Sequence, residues 1–285
     1  MPVNTTLFFD KQNLPVITYQ TVAHFERGDE KSMRKNLTKE KIQAGETAYG
    51  VFVNVSNPSL VEIVGHLGFD FALIDAEHGP MGLESCEQMI RAADAVNTTP
   101  LVRVAMNIQQ NILRYLDMGA LGVQLPLLNN KADVESVVRS VRYRPVGRRG
   151  LAGVRANNWG MWGPMAEYVE EANRQNLVIV QIETMEAVEN LKEILTVPGI
   201  DIVFIGPNDL SAAMGYTGQQ NHPEVHKMID KLVKEIHAAG KATGTVAYDA
   251  DTLKLRKEQG FKFIVYNIVA MIVKSGREYL KLARG

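Results

Sequence analysis

Short apolar runs recur along the chain, and each is followed by a segment with the spacing of a helix. Several of the runs are continuously apolar rather than alternating with polar residues. Continuous apolar runs are typical of parallel strands that helices cover from outside. The predicted strands are residues 49–55, 69–75, 100–105, 122–128, 177–183, 200–206, 242–248 and 261–267.

The segments between these runs carry helix signals. After the first strand, apolar residues follow helical spacing, with Ser56 as the expected N-cap, Pro58 in the first turn and Gly68 at the end. Similar patterns cover residues 108–119 and 222–240. Eight strand–helix units predict an α/β fold of the (β/α)₈ TIM barrel type. A doubly wound sheet is the alternative, but no glycine-rich dinucleotide-binding turn follows the first strand.

Two segments stand outside this pattern. Residues 1–35 show no sustained period, which predicts an N-terminal arm ahead of a barrel domain over residues 36–285. The arm is expected either to hang free or to pack on a neighbouring subunit. Residues 144–165 form a long connection rich in Gly and Arg, with Trp159 and Trp162. An active-site lid is one interpretation, and a surface excursion or subunit contact is the other.

Composition narrows the function classes. The 285 residues are 46% hydrophobic and 22% charged, as in ordinary globular proteins, and the net charge of -1 argues against a nucleic acid partner. The single cysteine, Cys86, excludes an intrachain disulfide and a multi-cysteine metal site, and is expected to be a buried helix residue. No apolar run is long enough for a membrane span and no secretory signal is visible, so a cytoplasmic protein is predicted.

Polar and charged residues stand at the carboxyl ends of four predicted strands. In a barrel these ends form the face that carries the catalytic site. The second strand ends in Asp75-Ala76-Glu77-His78, the third carries Arg103, the fifth ends in Gln181-Ile182-Glu183, and the sixth runs into Gly206-Pro207-Asn208-Asp209. Four such ends of mixed charge predict a functional site on this face.

Glu183 and Asp209 follow neighbouring predicted strands. Two carboxylates held close together repel each other unless a cation lies between them. An all-oxygen site of this kind suits a hard divalent ion such as Mg²⁺ or Mn²⁺. The alternative is a carboxylate that pairs with Arg103 alone.

Three further features bear on the chemistry. His78 is a candidate general base, because its ordinary pKa lies near neutrality, although a lone histidine can equally be a hydrogen-bonded core residue. Asp117 lies in the last turn of a predicted helix, where the helix dipole disfavours negative charge, so an external partner such as a histidine is expected, or else solvent screening. Asn208 and Asp209 precede a short helix over residues 210–215, whose free N–H groups could hold a substrate carboxylate.

The segments that carry these residues resemble the HpcH/HpaI family of class II pyruvate aldolases. The resemblance covers roughly residues 40–275, and its motifs are FDFALIDAEHGP, PLVRV, LDMGA, RYRPVGRRG, VQIETMEAV and IDIVFIGPNDLSAAMG. It implies a (β/α)₈ barrel of the phosphoenolpyruvate/pyruvate type. It also implies a homo-oligomer, a hexamer or trimer of dimers, in which subunits exchange the last helix, and a divalent cofactor, Mg²⁺, Mn²⁺ or Co²⁺.

The resemblance implies a reversible aldol cleavage of a 4-hydroxy-2-oxo acid into pyruvate and an aldehyde through a metal-bound enolate. It also implies a role for each candidate residue at the strand ends. Glu183 and Asp209 would bind the metal, Glu77 would bind a metal-bound water, and Arg103 would stabilise the enolate oxygen. His78 would be the base, and Asp117 of the same or a neighbouring chain would raise the basicity of His78. The pyruvate moiety would be held by Gln181, Asn208 and Asp209.

The chain departs from the family at Gly79, over residues 151–163 and at the end of the eighth strand, residues 265–271. These places lie where the aldehyde would bind, so the acceptor is left open. Three arginines of the long connection could bind an acidic acceptor or form a solvated basic loop: Arg148, Arg149 and Arg155.

Three rival functions are weighed against this one. A class I aldolase would need a barrel lysine, but Lys241 and Lys262 lie near the starts of their strands, the wrong end for catalysis. A related metal-dependent lyase or decarboxylase acting on an oxaloacetate-like acid or an acyl-CoA would use the same carboxylates. A barrel that only binds ligands is disfavoured because all the candidate catalytic residues are present.

Overall fold

The computed structural model describes residues 33–285 and, ahead of them, the backbone of two short strands. Phe8–Phe9 and Pro15–Val16 pair antiparallel within a separate unit, Met1–Lys31. The predicted arm over residues 1–35 therefore lies almost wholly outside the described residues, and its packing stays a prediction.

Eight parallel strands close into a barrel, as the apolar runs predict. They are β1 (Ala48–Val53), β2 (Phe71–Asp75), β3 (Thr99–Arg103), β4 (Gly122–Leu125), β5 (Leu177–Ile182), β6 (Ile202–Ile205), β7 (Ala242–Val246) and β8 (Phe263–Asn267). Neighbours in sequence pair in space, and β8 closes the ring against β1. The predicted TIM barrel is confirmed.

Helices fill the intervals between strands. They are α1 (Leu37–Gln43), α2 (Pro58–His66), α3 (Leu83–Ala95), α4 (Gln109–Asp117), α5 (Lys131–Val141), α6 (Met165–Gln175), α7 (Met185–Glu189), α8 (Leu191–Leu195), α9 (Pro207–Ala213), α10 (Pro223–Ala238), α11 (Ala250–Glu258) and α12 (Ile268–Arg284). The expected N-cap of α2 is wrong by one residue. Asn57, rather than Ser56, accepts the Ser59 N–H at 2.9 Å, and asparagine is among the strongest N-cap residues.

Aromatic side chains fill the barrel interior. Phe71 and Phe263 stack with ring centroids 4.1 Å apart, and Phe204 meets Phe263 edge-on. Glycine makes room for them, since a Cβ at Gly50 would lie 2.2 Å from the Phe71 ring. A second apolar layer lies between the strands and the surrounding helices. The interior is thus packed, and polar chemistry is confined to the barrel ends.

The long connection over residues 144–165 lies at the amino-terminal end of the barrel. It contains a short 3-10 helix, Arg155–Gly160. Arg155 donates to the Met118 carbonyl at 2.7 Å, and Arg149 donates to Asp117 at 2.8 Å. Both partners lie between the end of α4 and the start of β4. The segment is therefore remote from the carboxyl ends of its own strands, and the lid interpretation is wrong for the site of the same chain.

The last helix, α12, leaves much of its apolar surface exposed. Of its residues, Ile268 is buried, while Ile272 is 54% and Leu282 is 85% exposed. Among the described residues, no helix is both long and apolar enough to cross a bilayer.

Candidate active site

The polar strand ends form a continuous band across β2, β3, β4 and β5. In the strand register Asp75 lies opposite Arg103, and Arg103 lies opposite Gln124. The Gln124 side-chain amide donates to Oε1 of Gln181 at 2.5 Å, and Gln181 in turn donates to Glu183. Side chains of four neighbouring strands thus lie in one row at the carboxyl ends, where hydrogen bonds join Arg103 to Asp75 and, separately, Gln124 through Gln181 to Glu183.

Asp75 holds Arg103 in a two-pronged ion pair. Arg103 Nε donates to Oδ1 at 2.9 Å and Nη2 donates to Oδ2 at 2.6 Å, while the guanidinium lies 4.4 Å above the Phe52 ring. The Asp75 Oδ1 also accepts the backbone N–H groups of Glu77 and His78 at 3.2 Å each. Arg103 is therefore fixed at the site with part of its N–H set left for a substrate oxygen.

Glu77 lies beside the same guanidinium. Its Oε2 is 3.2 Å from Arg103 Nε, yet that buried oxygen has no well-aligned hydrogen bond within the described residues. Burial raises the pKa of the Glu77 carboxyl, Arg103 and His78 lower it, and the charges of Glu183 and Asp75 raise it further. A carboxylate oxygen facing the site without a donor suits contact with a bound water or cation.

Glu183 is nearly buried, with 4% exposure. Its Oε1 accepts the backbone N–H of Leu127 at 2.9 Å and its Oε2 accepts from Gln181. Gly206 lies against it, because a Cβ there would sit 3.3 Å from Oε2. Asp209 follows in the exposed first turn of α9. The two candidate metal ligands therefore lie at one junction, between the ends of β5 and β6.

The donor set of this junction fits a hard divalent cation. Two carboxylates and amide oxygens are the ligand types that Mg²⁺ and Mn²⁺ prefer. Within residues 33–285, no group of three or more His, Cys, Asp and Glu side chains is arranged to hold a metal. The protein would therefore supply Glu183 and Asp209, and water and substrate would complete the coordination.

Gln181 and Asn208 border the same junction. Gln181 is 2% exposed and bridges Gln124 to Glu183. The short helix begins at Pro207 and not at residue 210, so Asn208 and Asp209 lie within its first turn. Backbone N–H groups in a first helical turn lack helical acceptors, and the substrate-holding role of both residues stays a prediction.

His78 lies at the mouth of the barrel. Its side chain is 64% exposed and its Nε2 is 3.8 Å from Oε2 of Glu77. The interpretation of His78 as a core residue is therefore wrong, because the ring faces solvent next to the polar band. The ring is therefore accessible to a substrate bound at the carboxyl face of the barrel.

Asp117 lies at the opposite end of the barrel from His78. It closes α4, ahead of β4, and pairs with the buried Arg149 at 2.8 Å. Burial raises the pKa of the Asp117 carboxyl, while Arg149 lowers it. The expected external cation is thus present, but it is an arginine. The structure does not bring Asp117 to His78 within one chain.

The two lysines considered for a Schiff base also lie at the amino-terminal end. Lys241 donates to the Ile200 carbonyl at 3.2 Å and Lys262 donates to the Gly45 carbonyl at 2.6 Å. Neither ammonium group belongs to the polar band. A covalent route through these lysines is therefore excluded at this site.

Two residues of the band were missed or left without a role by sequence reasoning. Asp75 stands at the end of its predicted strand without an assigned role, and only the strand register of the structure shows that it lies opposite Arg103. Gln124 is a single polar residue within the apolar run of β4, and only strand pairing shows that it lies between Arg103 and Gln181.

Comparison with known proteins places the fold and the band in one family. The family model for HpcH/HpaI aldolase/citrate lyase matches residues 48–277. The chain belongs to this family. The match covers every strand of the barrel and all the candidate residues at its carboxyl face.

Individual proteins are similar along most of the chain. A hydroxypyruvate/pyruvate aldolase of Pseudomonas aeruginosa is 35% identical over 85% of this chain and 91% of its own length. A 4-hydroxy-2-oxo-heptane-1,7-dioate aldolase of Salmonella dublin is 36% identical over 86% of this chain and 93% of its own length. The crystal structure of an HpcH/HpaI aldolase/citrate lyase family protein from Burkholderia cenocepacia J2315 has a TM-score of 0.83 at 31% identity, covering 88% of this chain and all of that one.

Proposed function

We propose that this chain is a class II, metal-dependent pyruvate aldolase that reversibly cleaves a 4-hydroxy-2-oxo acid into pyruvate and an aldehyde. The family and the names of both sequence relatives support the coarser class of pyruvate or 4-hydroxy-2-oxo acid aldolase. The observation that carries the finer proposal is the polar band. It contains the guanidinium of Arg103, which Asp75 fixes, and the carboxylate of Glu183, and Asp209 follows the neighbouring strand β6 at the same end of the barrel.

Arg103 stabilises the charge that develops during cleavage. As the C3–C4 bond breaks, its electron pair moves into the pyruvate fragment and negative charge grows on the C2 oxygen. The N–H groups of Arg103 not engaged by Asp75 donate to that oxygen, and removal of such a donor costs about 3 kcal/mol. Glu183 and Asp209 would hold a divalent cation, which would supply Lewis-acid polarisation of the bound 2-oxo acid.

The remaining residues position the substrate and move the proton. Gln181 and the first-turn N–H groups at Asn208 and Asp209 hold the carboxylate of the 2-oxo acid. His78 accepts the proton of the C4 hydroxyl as the aldehyde forms, and the pyruvate fragment is then protonated at C3. General-base assistance of this type contributes roughly 10²–10⁴-fold. In the synthetic direction His78 takes the proton from the pyruvate methyl.

Asp117 contributes to this chemistry only from another copy of the chain. It lies at the amino-terminal end of its own barrel, so it reaches a His78 across a subunit interface. The exposed apolar residues of α12, including Ile272 and Leu282, support such an assembly, because large exposed apolar surfaces mark interaction sites. We therefore propose a homo-oligomer in which α12 packs on a partner.

An aldehyde panel tests the function. The full chain is incubated with pyruvate, one aldehyde at a time, and Mg²⁺, Mn²⁺ or no metal, and the aldol product is quantified. We expect product with at least one aldehyde, dependent on the metal and abolished by excess chelator. Formation of the aldol product in excess chelator would show that the reaction does not need a divalent metal. Oxaloacetate decarboxylation without any aldol product would favour the related decarboxylase instead.

A further inference from the structure

Leu127 has a backbone conformation that a leucine disfavours. It lies in the connection between β4 and α5, and its φ is 53°, in the left-handed region that bulky residues rarely adopt. The conformation does not bury the side chain, which is 60% exposed. Strain of this kind persists where surrounding contacts impose it, and it concentrates at functional sites.

The backbone N–H of Leu127 points at a candidate metal ligand. It donates to Oε1 of Glu183 at 2.9 Å, while Oε2 of the same carboxylate accepts from Gln181. Each carboxylate oxygen thus accepts one hydrogen bond and keeps a further lone pair for a cation. Hydrogen bonds of this type fix the orientation of a metal-binding side chain.

Asn129 ties the same connection to the loop that follows β5. Its Oδ1 accepts from the Thr184 hydroxyl at 2.6 Å, and its carbonyl accepts from the side-chain amide of Asn190 at 2.9 Å. Thr184 directly follows Glu183 in the chain. Hydrogen bonds therefore join the two connections at two successive residues of the loop after β5.

The connection is also held between and beyond these two points. Leu128 separates Leu127 from Asn129 and is only 1% exposed. The Asn129 N–H donates to Oδ2 of Asp133 in the first turn of α5 at 3.1 Å. The chain after Leu127 is thus fixed by a buried side chain and by three hydrogen bonds of one asparagine, which are the contacts that a left-handed leucine needs.

We propose that Asn129 is a positioning residue for the metal site. Its hydrogen bonds hold Leu127 in the left-handed conformation, and this keeps the Leu127 N–H on the carboxylate of Glu183. Asn129 itself acts only through these two residues. The inference rests on the proposed function, because it takes Glu183 as a metal ligand.

Titration of the full chain with Mn²⁺, read by electron paramagnetic resonance without substrate, tests this role. Asn129→Ala should weaken the apparent Kd for Mn²⁺ about tenfold, because Leu127 then relaxes and its N–H leaves Glu183. Adding Leu127→Gly to that variant should recover most of the loss, because glycine adopts a positive φ without strain. Asn97→Ala is the matched control, since Asn97 is an exposed asparagine with a φ of 55° at the opposite end of the barrel, and it should leave the Kd unchanged.

A purely structural role of Asn129 predicts a different pattern. Asn129→Ala would then lower the unfolding temperature in chelator, and Leu127→Gly would not restore the affinity for Mn²⁺. The proposal is overturned by an Asn129→Ala protein that binds Mn²⁺ like the unmodified chain, or by a double variant that binds no better than Asn129→Ala. Should Asn129→Ala fail to fold, Asn190→Ala removes only the bond to the Asn129 carbonyl and is judged by the same two comparisons.

A parallel titration of Glu183→Gln separates this inference from the proposed function. Unchanged Mn²⁺ binding in Glu183→Gln would refute the metal assignment and the positioning role together. Loss of binding in Glu183→Gln beside normal binding in Asn129→Ala would refute the positioning role alone.

Discussion

Arg103 and Asp75 face each other across the β2–β3 pair, and two hydrogen bonds of 2.9 and 2.6 Å join the guanidinium to both oxygens of the carboxylate. Asp75 is 2% exposed, so the pair is held in a region of low dielectric. Removing one partner from such a pair leaves an uncompensated charge. The pair therefore sets the direction in which the remaining N–H groups of Arg103 point.

Replacement of Arg103 by lysine should reduce kcat/KM by roughly 10²–10³-fold, because lysine cannot engage Asp75 with two parallel hydrogen bonds and still reach the substrate oxygen. Asp75→Asn should also lower kcat/KM. Steady-state kinetics of the aldol cleavage measures both effects. Arg139→Lys is the matched surface control. Unchanged kcat/KM in Arg103→Lys would show that the guanidinium does not stabilise the transition state.

Glu183→Gln and Asp209→Asn should each abolish both metal binding and turnover, because each removes one of the two anionic ligands at the junction of β5 and β6. Titration with Mn²⁺, read by electron paramagnetic resonance, measures the metal directly. Glu186→Gln is the matched control, since Glu186 is an exposed glutamate three residues after Glu183. A Glu183→Gln protein that binds Mn²⁺ like the unmodified chain would rule out this ligand assignment.

Ile272→Asp and Leu280→Asp should each lower the fraction of chains that form the oligomer, because both apolar side chains are exposed on α12 in the isolated chain. Light scattering coupled to size exclusion should show mass shifting toward the 31.6 kDa of one chain. Arg277→Asp places the same charge on the polar side of α12 and should leave the mass unchanged. Identical masses for all three variants would mean that the apolar face of α12 is not an interface.

Cys86 should resist alkylation in the native protein. Burial raises the pKa of the Cys86 thiol to about 11 from 9.0, so about 100-fold less thiolate is present near pH 8 than for a free cysteine. A folded-state pKa above the unfolded value means that the native chain retains this proton between pH 9 and 11 while the unfolded chain loses it. Stability from this group therefore falls as pH rises through that window.

Iodoacetamide labelling followed by mass spectrometry measures this, with denaturant-unfolded protein as the reference. Because the chain holds a single cysteine, the labelled fraction reports one site. Rapid native labelling at pH 8, at the rate of the unfolded chain, would contradict the buried environment of Cys86.

The strand pattern was readable from sequence because each barrel strand is covered on both faces and must be continuously apolar. The strand-end rule likewise located Glu77, His78, Arg103 and Glu183 on one face. What it could not supply was pairing across strands. Gln124 is one polar residue in an apolar run, and nothing local in the sequence distinguishes it from a residue on an exposed strand.

The long connection over residues 144–165 shows a second limit of prediction from sequence. Residues 144–165 follow α5 and lead into α6, which runs directly into the start of β5, so the connection leaves α5 at the amino-terminal end of the barrel. The lid interpretation rested on length and composition and did not use that order. Likewise, Asp117 was correctly expected to need a cationic partner, but Arg149 lies 32 residues further along the chain, and only the folded loop brings the two together.

The placement of Asp117 and His78 at opposite ends of one barrel predicts that inactive variants can complement each other. If the two groups serve one reaction centre, each centre is assembled from two polypeptides. His78→Ala and Asp117→Ala proteins, each inactive alone, would then complement each other when unfolded and reassembled together, with roughly one centre in four intact under random mixing. A single polypeptide would then be an incomplete catalyst. Dilution below the dissociation constant of the oligomer would abolish activity although the barrel stays folded.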